Sequence, residues 1–454
     1  MFNSINPSNG QVLATFDEIS DQELDSRLDS AVKTQGSWCK TPLSERSKLL
    51  IAIAEVLDSQ QERWAELMTL EMGKTLKSAR AEVVKCSLTC RYYAENGQNF
   101  LRDEYIATES ATNYVRFLPL GVLLAVMPWN FPFWQLFRFL APTLMAGNSV
   151  VLKHSSNVPQ CALAIEEVLR SAGAPVGLFQ TLLIGSKRVA GVIADTRIAG
   201  VSMTGSEGAG RQVAQTAGAH IKKCVLELGS NDAFIVMPSA DLEKAVQTAV
   251  QARVANNGQS CVAAKRFLIH RDLYPSFEQR FVELMKALKV GDPKDPAIDV
   301  GPLATLQTLL DIESQVNTSL SLGANLWCGG KRLGESGYFY TPSVLSEITR
   351  ESPMYHQEVF GPVAALFCIN SLDEAIALVN ASPYGLGSSC WTMEAEEQEQ
   401  FINGLQTGIT FINSPVASDP RLPFGGVKLS GYGRELGRFG LLEFVNAKTV
   451  SIAH

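Results

Sequence analysis

Between residues 121 and 228 one pattern recurs: a short, almost wholly apolar run of strand length, a turn, then a stretch with helical spacing. Val122–Met127 precedes a helical stretch near 132–145, Ser149–Leu152 precedes 159–172, Leu178–Ile184 precedes 187–194, Ile198–Met203 precedes 207–217, and Lys223–Leu228 closes the series. Strands without polar alternation are buried on both faces, and an intervening helix returns the chain so that successive strands run parallel. The pattern therefore predicts a doubly wound parallel sheet. A second α/β series opens at Ala233–Met237 and continues through Phe267–His270, Val363–Cys368 and Gly408–Asn413. Ahead of both, 21–35, 43–59 and 60–100 carry helical spacing, with helix starts expected at Asp21–Glu23 and Ser44–Ser47. Gln11–Phe16 reads as a short strand, Asn113–Pro119 as a β-ribbon and Leu442–Ile452 as a strand. A chain of 454 residues accommodates two or three such units.

Charge and cysteine usage narrow the function. The net charge of −7 argues against nucleic acid or an anionic membrane, both of which call for basic patches. Nine cysteines, odd in number, irregular in spacing and without a Cys-x-x-Cys pair, argue against a disulfide framework and for a reducing compartment. Five histidines without His-Glu-x-x-His leave no expected metal site. Residues 1–7 lack a basic region followed by an apolar run, so no signal peptide is expected and the cytoplasm is the expected location. The strongly apolar segment 117–152 is broken by Pro119, Gly121, Pro128, Pro132, Pro142 and Gly147, so no run reaches the ~18 residues of a membrane span.

Four motifs carry chemistry. Gly258-Gln259-Ser260-Cys261 places a thiol just after a glycine turn, although most cysteines in such a chain are inert core residues. Glu227-Leu228-Gly229-Ser230 sets a carboxylate at the carboxyl end of an expected buried strand, where α/β sheets bind ligands. Pro128-Trp129-Asn130-Phe131-Pro132 joins a buried strand to a helix, and Asn130 offers amide donors there unless it merely caps that helix. Thr204-Gly205-Ser206-Glu207-Gly208 opens a helix after a strand, which suits a diphosphate. It matches neither a Walker loop nor Gly-x-Gly-x-x-Gly, and Gly73-Lys74-Thr75 fails as a Walker ending because Met68 stands where its first glycine is needed.

Together these motifs, with Leu152-Lys153-His154-Ser155, Glu358-Val359-Phe360-Gly361-Pro362 and Pro423–Gly431, resemble the aldehyde dehydrogenase superfamily over essentially the whole chain, most nearly its succinic semialdehyde members. The resemblance implies an α/β fold with a cofactor-binding domain (1–110 and 122–227), a catalytic domain (228–428) and an oligomerisation ribbon (111–121 and 429–454). It implies a homodimer or homotetramer. It assigns Cys261 as nucleophile, Asn130 and the Cys261 backbone N–H as oxyanion donors, and Glu227 as general base. Loss of an oxyanion donor costs about 2.7–4 kcal/mol of transition-state stabilisation. Around a nicotinamide cofactor it implies Met127, Pro128, Trp129, Lys153, Ser155, Ser156, Gly205, Ser206, Glu227, Leu228, Glu358 and Phe360. Around the substrate it implies Trp134, Arg138, Ser260, Cys261 and Ser418. Ala263 stands where some relatives carry a second cysteine, so a disulfide switch of that kind is not expected.

Two finer expectations follow. NAD-preferring relatives often carry an acid three residues after the Lys153 position, and here that residue is Ser156. A carboxylate ~5 Å from a 2′-phosphate would repel it by about 3 kcal/mol at an effective dielectric of ~20, so serine points to NADP, with NAD weaker. Asn130, Trp134 and Arg138, four apart, would share one helix face if the helix starts near 130. An arginine in so apolar a helix needs a partner, either a substrate carboxylate or an internal acid. Three other readings compete. An acylating enzyme that uses coenzyme A commonly lacks the Glu227 carboxylate, a structural protein has no need of Cys261, Glu227 and Asn130 together, and a thiol hydrolase wants a histidine beside its cysteine.

Overall fold

The computed structural model describes residues 1–109 and 111–453; Ser110 and His454, which fall in the expected first segment and the expected ribbon, lie outside the described residues. The first series of strands forms a six-stranded sheet. Its parallel part runs Lys223–Glu227, Ile198–Thr204, Val122–Met127, Ser149–His154 and Phe179–Thr181 in spatial order. Helices Asp21–Trp38, Trp134–Ala146, Pro159–Ser171, Ser186–Ala194 and Glu207–Ala219 belong to this half, and its apolar strands are buried on both faces as the pattern required. The second series forms a seven-stranded sheet in which Ala233–Val236, Arg266–His270, Val363–Ile369, Gly387–Trp391 and Ile409–Ile412 run parallel. Strand Ser343–Ser346 extends the parallel set and Asn325–Cys328 closes that edge antiparallel.

Helix boundaries differ from expectation where a local residue overrides the spacing. The stretch 60–100 is two helices, Gln61–Met72 and Leu76–Phe100, because Gly73 takes a left-handed conformation and Thr75 caps the second through the Ser78 N–H. Ser20, not Asp21, caps the Asp21–Trp38 helix, and the next begins at Leu43 behind Pro42 without a side-chain cap. The helix expected near 132–145 runs from Trp134 to Ala146 and so starts after Pro132, not near 130 as a shared face with Asn130 requires.

The ribbon is three-stranded, with Ala111–Pro119 between Glu104–Ile106 and Val445–Ala453. Residues 429–444 do not belong to it. Gly431–Tyr432 pairs antiparallel with Lys223–Glu227 on the first sheet, and helix Gly437–Leu442 packs near Trp134–Ala146. The reason is steric. Gly431 lies so close to the Leu226 carbonyl that any side chain would collide with it, and the Leu228 N–H donates to the Ser430 carbonyl at 2.9 Å. Among the described residues no helix is long and apolar enough to cross a membrane.

Candidate active site

Cys261 stands where the two sheets meet. Helix Leu242–Val254 ends in a tight turn in which Asn256 and Asn257 adopt positive φ (55° and 59°), followed by Gly258 at 74°. Gly258 is obligatory, since a Cβ there would strike the Gly361 backbone. The asparagines hold the strained turn. Asn257 Nδ2 donates to the Gly73 and Pro302 carbonyls (2.9 and 3.0 Å), and its Oδ1 accepts from the Gly301 N–H (2.9 Å). Asn256 Nδ2 donates to the carbonyls of Asn130 (2.8 Å) and Gln259 (3.0 Å), tying the turn to the first domain.

Asn130 is buried in the turn before the Trp134–Ala146 helix, and its Nδ2 donates to the Gln259 carbonyl at 3.1 Å. It does not cap that helix. The start is capped instead by Glu82, whose Oε1 accepts from the N–H groups of Phe133 and Trp134 (both 2.9 Å) while Oε2 pairs with buried Lys74. Asn130 is thus left to the cavity. That cavity, about 210 Å³, is lined by Trp129, Asn130, Gln135, Thr204, Cys261 and Glu358, among others.

Burial pushes the Cys261 thiol up to about 12, and Arg138 and Lys265 nearby pull in the opposite direction. Lys265, buried, donates to the carbonyls of Ser260 (3.0 Å) and Cys261 and pairs with Glu358 at 3.1 Å. The buried Ser260 thereby braces the lysine through its backbone. Glu227 ends the edge strand of the parallel set. Burial raises its carboxyl well above the usual range, and neither oxygen accepts a hydrogen bond among the described residues. The carboxyl lies against Gly425, where a Cβ would come within 2.7 Å of it.

A second cleft, about 320 Å³, shares Pro128, Trp129, Thr204, Gly205 and Ser206 with the first. Met127, Lys153 and Ser155 line it as well. Lys153 has no carboxylate partner among the described residues, and burial lowers its pKa. Ser206 caps helix Glu207–Ala219, whose N-terminal end opens here. Leu228 and Phe360 line the Cys261 side, where the Trp129 and Phe360 rings meet edge to face at 5.6 Å. A long channel with an unpaired cation, a helix N-terminus and an aromatic wall fits a dinucleotide. Ser156 is exposed, and lines a small adjoining pocket with Phe2, His154 and Pro159 rather than the Lys153 cleft.

The expectation that Arg138 meets a substrate carboxylate is corrected. Arg138 pairs with Glu435, both side chains only 2% and 3% exposed; its NH2 donates to Thr204 Oγ1 (3.3 Å), and its guanidinium lies over the Phe424 ring (4.5 Å). The shared face of Asn130, Trp134 and Arg138 is also lost in part, because Asn130 precedes the helix. Ser418 lies one intervening residue away from Trp134: Lys85 Nζ donates to its Oγ at 2.6 Å and is 4.3 Å from the centre of the Trp134 ring. Sequence reasoning missed Lys85, Gln135, Lys265 and Glu435. A cation inside a largely buried helix face was the available signal for Lys85, and none marked the others.

Residues 1–450 match the aldehyde dehydrogenase family, and the chain belongs to that family. It is 52% identical over 453 residues to the succinate-semialdehyde dehydrogenase (NADP+) of Mycobacterium avium, covering 99% of this chain and 96% of that one. It is 50% identical over 453 residues to succinate-semialdehyde dehydrogenase (NADP+) 1 of Mycobacterium tuberculosis, covering 99% of each. The crystal structure of the succinic semialdehyde dehydrogenase from Streptococcus pyogenes in complex with NADP+ superposes with a TM-score of 0.98 at 38% identity, covering 100% of both chains.

Proposed function

We propose that this chain oxidises succinic semialdehyde to succinate with NADP+ as the preferred acceptor, through a thioester on Cys261. The observation that carries the reading is one cavity lined by Cys261, Asn130, Leu228 and Glu358, which shares its Trp129 and Ser206 wall with a cleft suited to a dinucleotide. The named activities of relatives half identical over the full length favour the same substrate and cofactor.

Burial raises both the Cys261 thiol and the Glu227 carboxyl, which favours their protonated forms. Once ionised, Glu227 has no hydrogen bond to break before it takes the thiol proton. The Cys261 sulfur then bonds to the aldehyde carbon, and the carbonyl oxygen, now negative, takes hydrogen bonds from Asn130 Nδ2 and the Cys261 N–H. Lys153, Thr204, Gly205, Ser206, Glu358 and Phe360 would hold NADP+, which when bound accepts the hydride lost from that carbon. Glu227 gives the thiol proton up to solvent and next removes a proton from water. The hydroxide attacks the thioester carbon, the C–S bond breaks, the departing Cys261 sulfur takes back the proton held by Glu227, and the acid loses its own proton to solvent as succinate.

Initial rates of NADPH or NADH formation with succinic semialdehyde and butanal, each with NADP+ and with NAD+, test the reading. Succinic semialdehyde with NADP+ should be the best pair, and the rate should not depend on coenzyme A. Equal use of both aldehydes, or a requirement for coenzyme A, would overturn it. Nine free cysteines support a reducing cytoplasm as its location. The exposed edge strand Val445–Ala453 supports assembly into a homodimer or homotetramer through the ribbon, which light scattering of the purified protein would check.

A further inference from the structure

Lys265 is buried beside the nucleophile yet takes no part in the steps at Cys261. It immediately precedes strand Arg266–His270, the middle strand of the seven-stranded sheet. Its backbone is fixed from both sides. Its N–H donates to the Asp232 carbonyl (3.0 Å), and its own carbonyl accepts from the Ala365 N–H (3.0 Å). The side chain rooted there is only 1% exposed. It leads the ammonium back to the turn that carries Cys261, where it donates to the carbonyls of Ser260 (3.0 Å) and Cys261 and pairs with Glu358 Oε1 at 3.1 Å.

Neutralising Glu358 accounts for one of these contacts and not for the other two. The Ser260 carbonyl has a partner without the lysine, because it also accepts from the Ala263 N–H (3.2 Å). What the lysine adds is direction. The Ser260 carbonyl and the Cys261 N–H belong to one planar trans peptide group, so they point opposite ways. An ammonium that holds the oxygen therefore fixes where the N–H aims. The other oxyanion donor, Asn130 Nδ2, is set against the preceding peptide through the Gln259 carbonyl (3.1 Å). Linked hydrogen bonds also polarise one another where the dielectric is low, so a cation on the oxygen strengthens the N–H as a donor. The Cys261 carbonyl, held by the same ammonium, keeps the following peptide from turning and carrying the cysteine with it.

We propose that Lys265 is a positioning residue for the oxyanion hole: by holding the Ser260 carbonyl it aims the Cys261 N–H at the oxygen of the tetrahedral intermediate. The proposal rests on the reading of Cys261 as the nucleophile. The Lys265 charge also favours the Cys261 thiolate, so the aim of the N–H has to be separated from the state of the sulfur.

Two reactions of that sulfur, run without NADP+, separate them. p-Nitrophenyl acetate acylates the thiolate through a tetrahedral oxyanion and releases p-nitrophenolate. Iodoacetamide alkylates the same thiolate by displacing iodide, with no oxyanion. Both rates rise with the thiolate fraction, so their ratio at one pH reports the oxyanion hole. Acylation is read as the p-nitrophenolate burst and alkylation as loss of that burst, with the labelled peptide identified by mass spectrometry. Lys265→Met should lower the ratio of acylation to alkylation about 30-fold, and Lys265→Gln, one bond shorter than lysine, about 10-fold. Lys265→Arg, which keeps the charge and the donors, should stay within about 3-fold of wild type. With succinic semialdehyde the loss in Lys265→Met should fall on kcat rather than KM. If wild type is labelled at Cys261 and the ratio is unchanged in Lys265→Met, the proposal fails while Cys261 stands as nucleophile. If the wild-type burst comes from another cysteine, the reading of Cys261 fails and the proposal with it. If neither neutral variant folds, as read by circular dichroism, the lysine is structural and the proposal fails.

Discussion

The two ends of the channel are built differently. The cofactor end is made of strand ends and the turns that follow them: Met127–Trp129, Lys153–Ser155 and Thr204–Ser206 sit on three adjacent strands of one sheet. The cluster around Arg138 is made of side chains from helices and a loop that meet only in the folded chain: Lys85, Trp134, Arg138, Ser418 and Glu435. A site at strand ends inherits its geometry from the sheet, so a short motif describes it. A site assembled from distant segments has no motif, and its charge balance is invisible until the partners are adjacent.

The difference predicts separable failures. The largest effect belongs to the centre, which both ends share. Cys261→Ala should abolish oxidation of every aldehyde while leaving NADP+ binding intact, as read by fluorescence titration. Activity that survives would move the chemistry elsewhere. Next, Arg138→Ala should cost about 3–5 kcal/mol of folding stability, because it strands buried Glu435, and should harm succinic semialdehyde and butanal alike. A loss confined to succinic semialdehyde, with the melting temperature unchanged, would return the carboxylate to Arg138.

Glu227→Gln should slow thioester hydrolysis about 100- to 1000-fold and hydride transfer less, giving a burst of NADPH before a slow steady state. Equal slowing of both phases would make Glu227 chiefly the base for Cys261. Ser156→Glu acts on the cofactor end alone. It should shift the NADP+ to NAD+ ratio of kcat/KM towards NAD+ by about 10- to 100-fold without altering the preference between aldehydes. An unchanged ratio would mean that the exposed Ser156 stands clear of the 2′-phosphate.

The smallest effect is a pH dependence confined to the substrate end. Lys85 is brought down to about 8, first by desolvation and then by Arg138; Cys86, Glu82 and Asp419 act the other way. A substrate carboxylate held at Lys85 would need the ammonium form, which is present below that value and lost above it. The kcat/KM ratio of succinic semialdehyde to butanal should therefore fall as pH rises through about 8, whereas the rise expected from ionising Glu227 and Cys261 is common to both substrates and cancels. A ratio flat across that range would contradict it.

Much of this was legible in the chain. The run Val122–Glu227 betrayed its sheet because both faces are buried and no polar alternation interrupts it, and Cys261, Glu227 and Asn130 each stand beside a turn that their motif marks. Arg138 shows the limit. Its need for a partner followed from its apolar helix, but the choice between substrate and Glu435 depended on residues 431–442 folding back over the first sheet instead of joining the ribbon. Lys85 gave less warning still, since a lysine on a helix is ordinarily solvated and only the packing of Trp134 and the Ser418 loop against it removes the water.

The central claim is a covalent intermediate on one cysteine out of nine, formed from an aldehyde that carries an acid. Glu227→Gln, mixed with succinic semialdehyde and NADP+, quenched in acid and examined by peptide mass spectrometry, tests it most directly. The account predicts a succinyl thioester on the peptide that contains Cys261, absent without NADP+ and absent from a Cys261→Ala, Glu227→Gln double variant. A succinyl group on another cysteine, or NADPH formed with no acyl group on the protein, would contradict it.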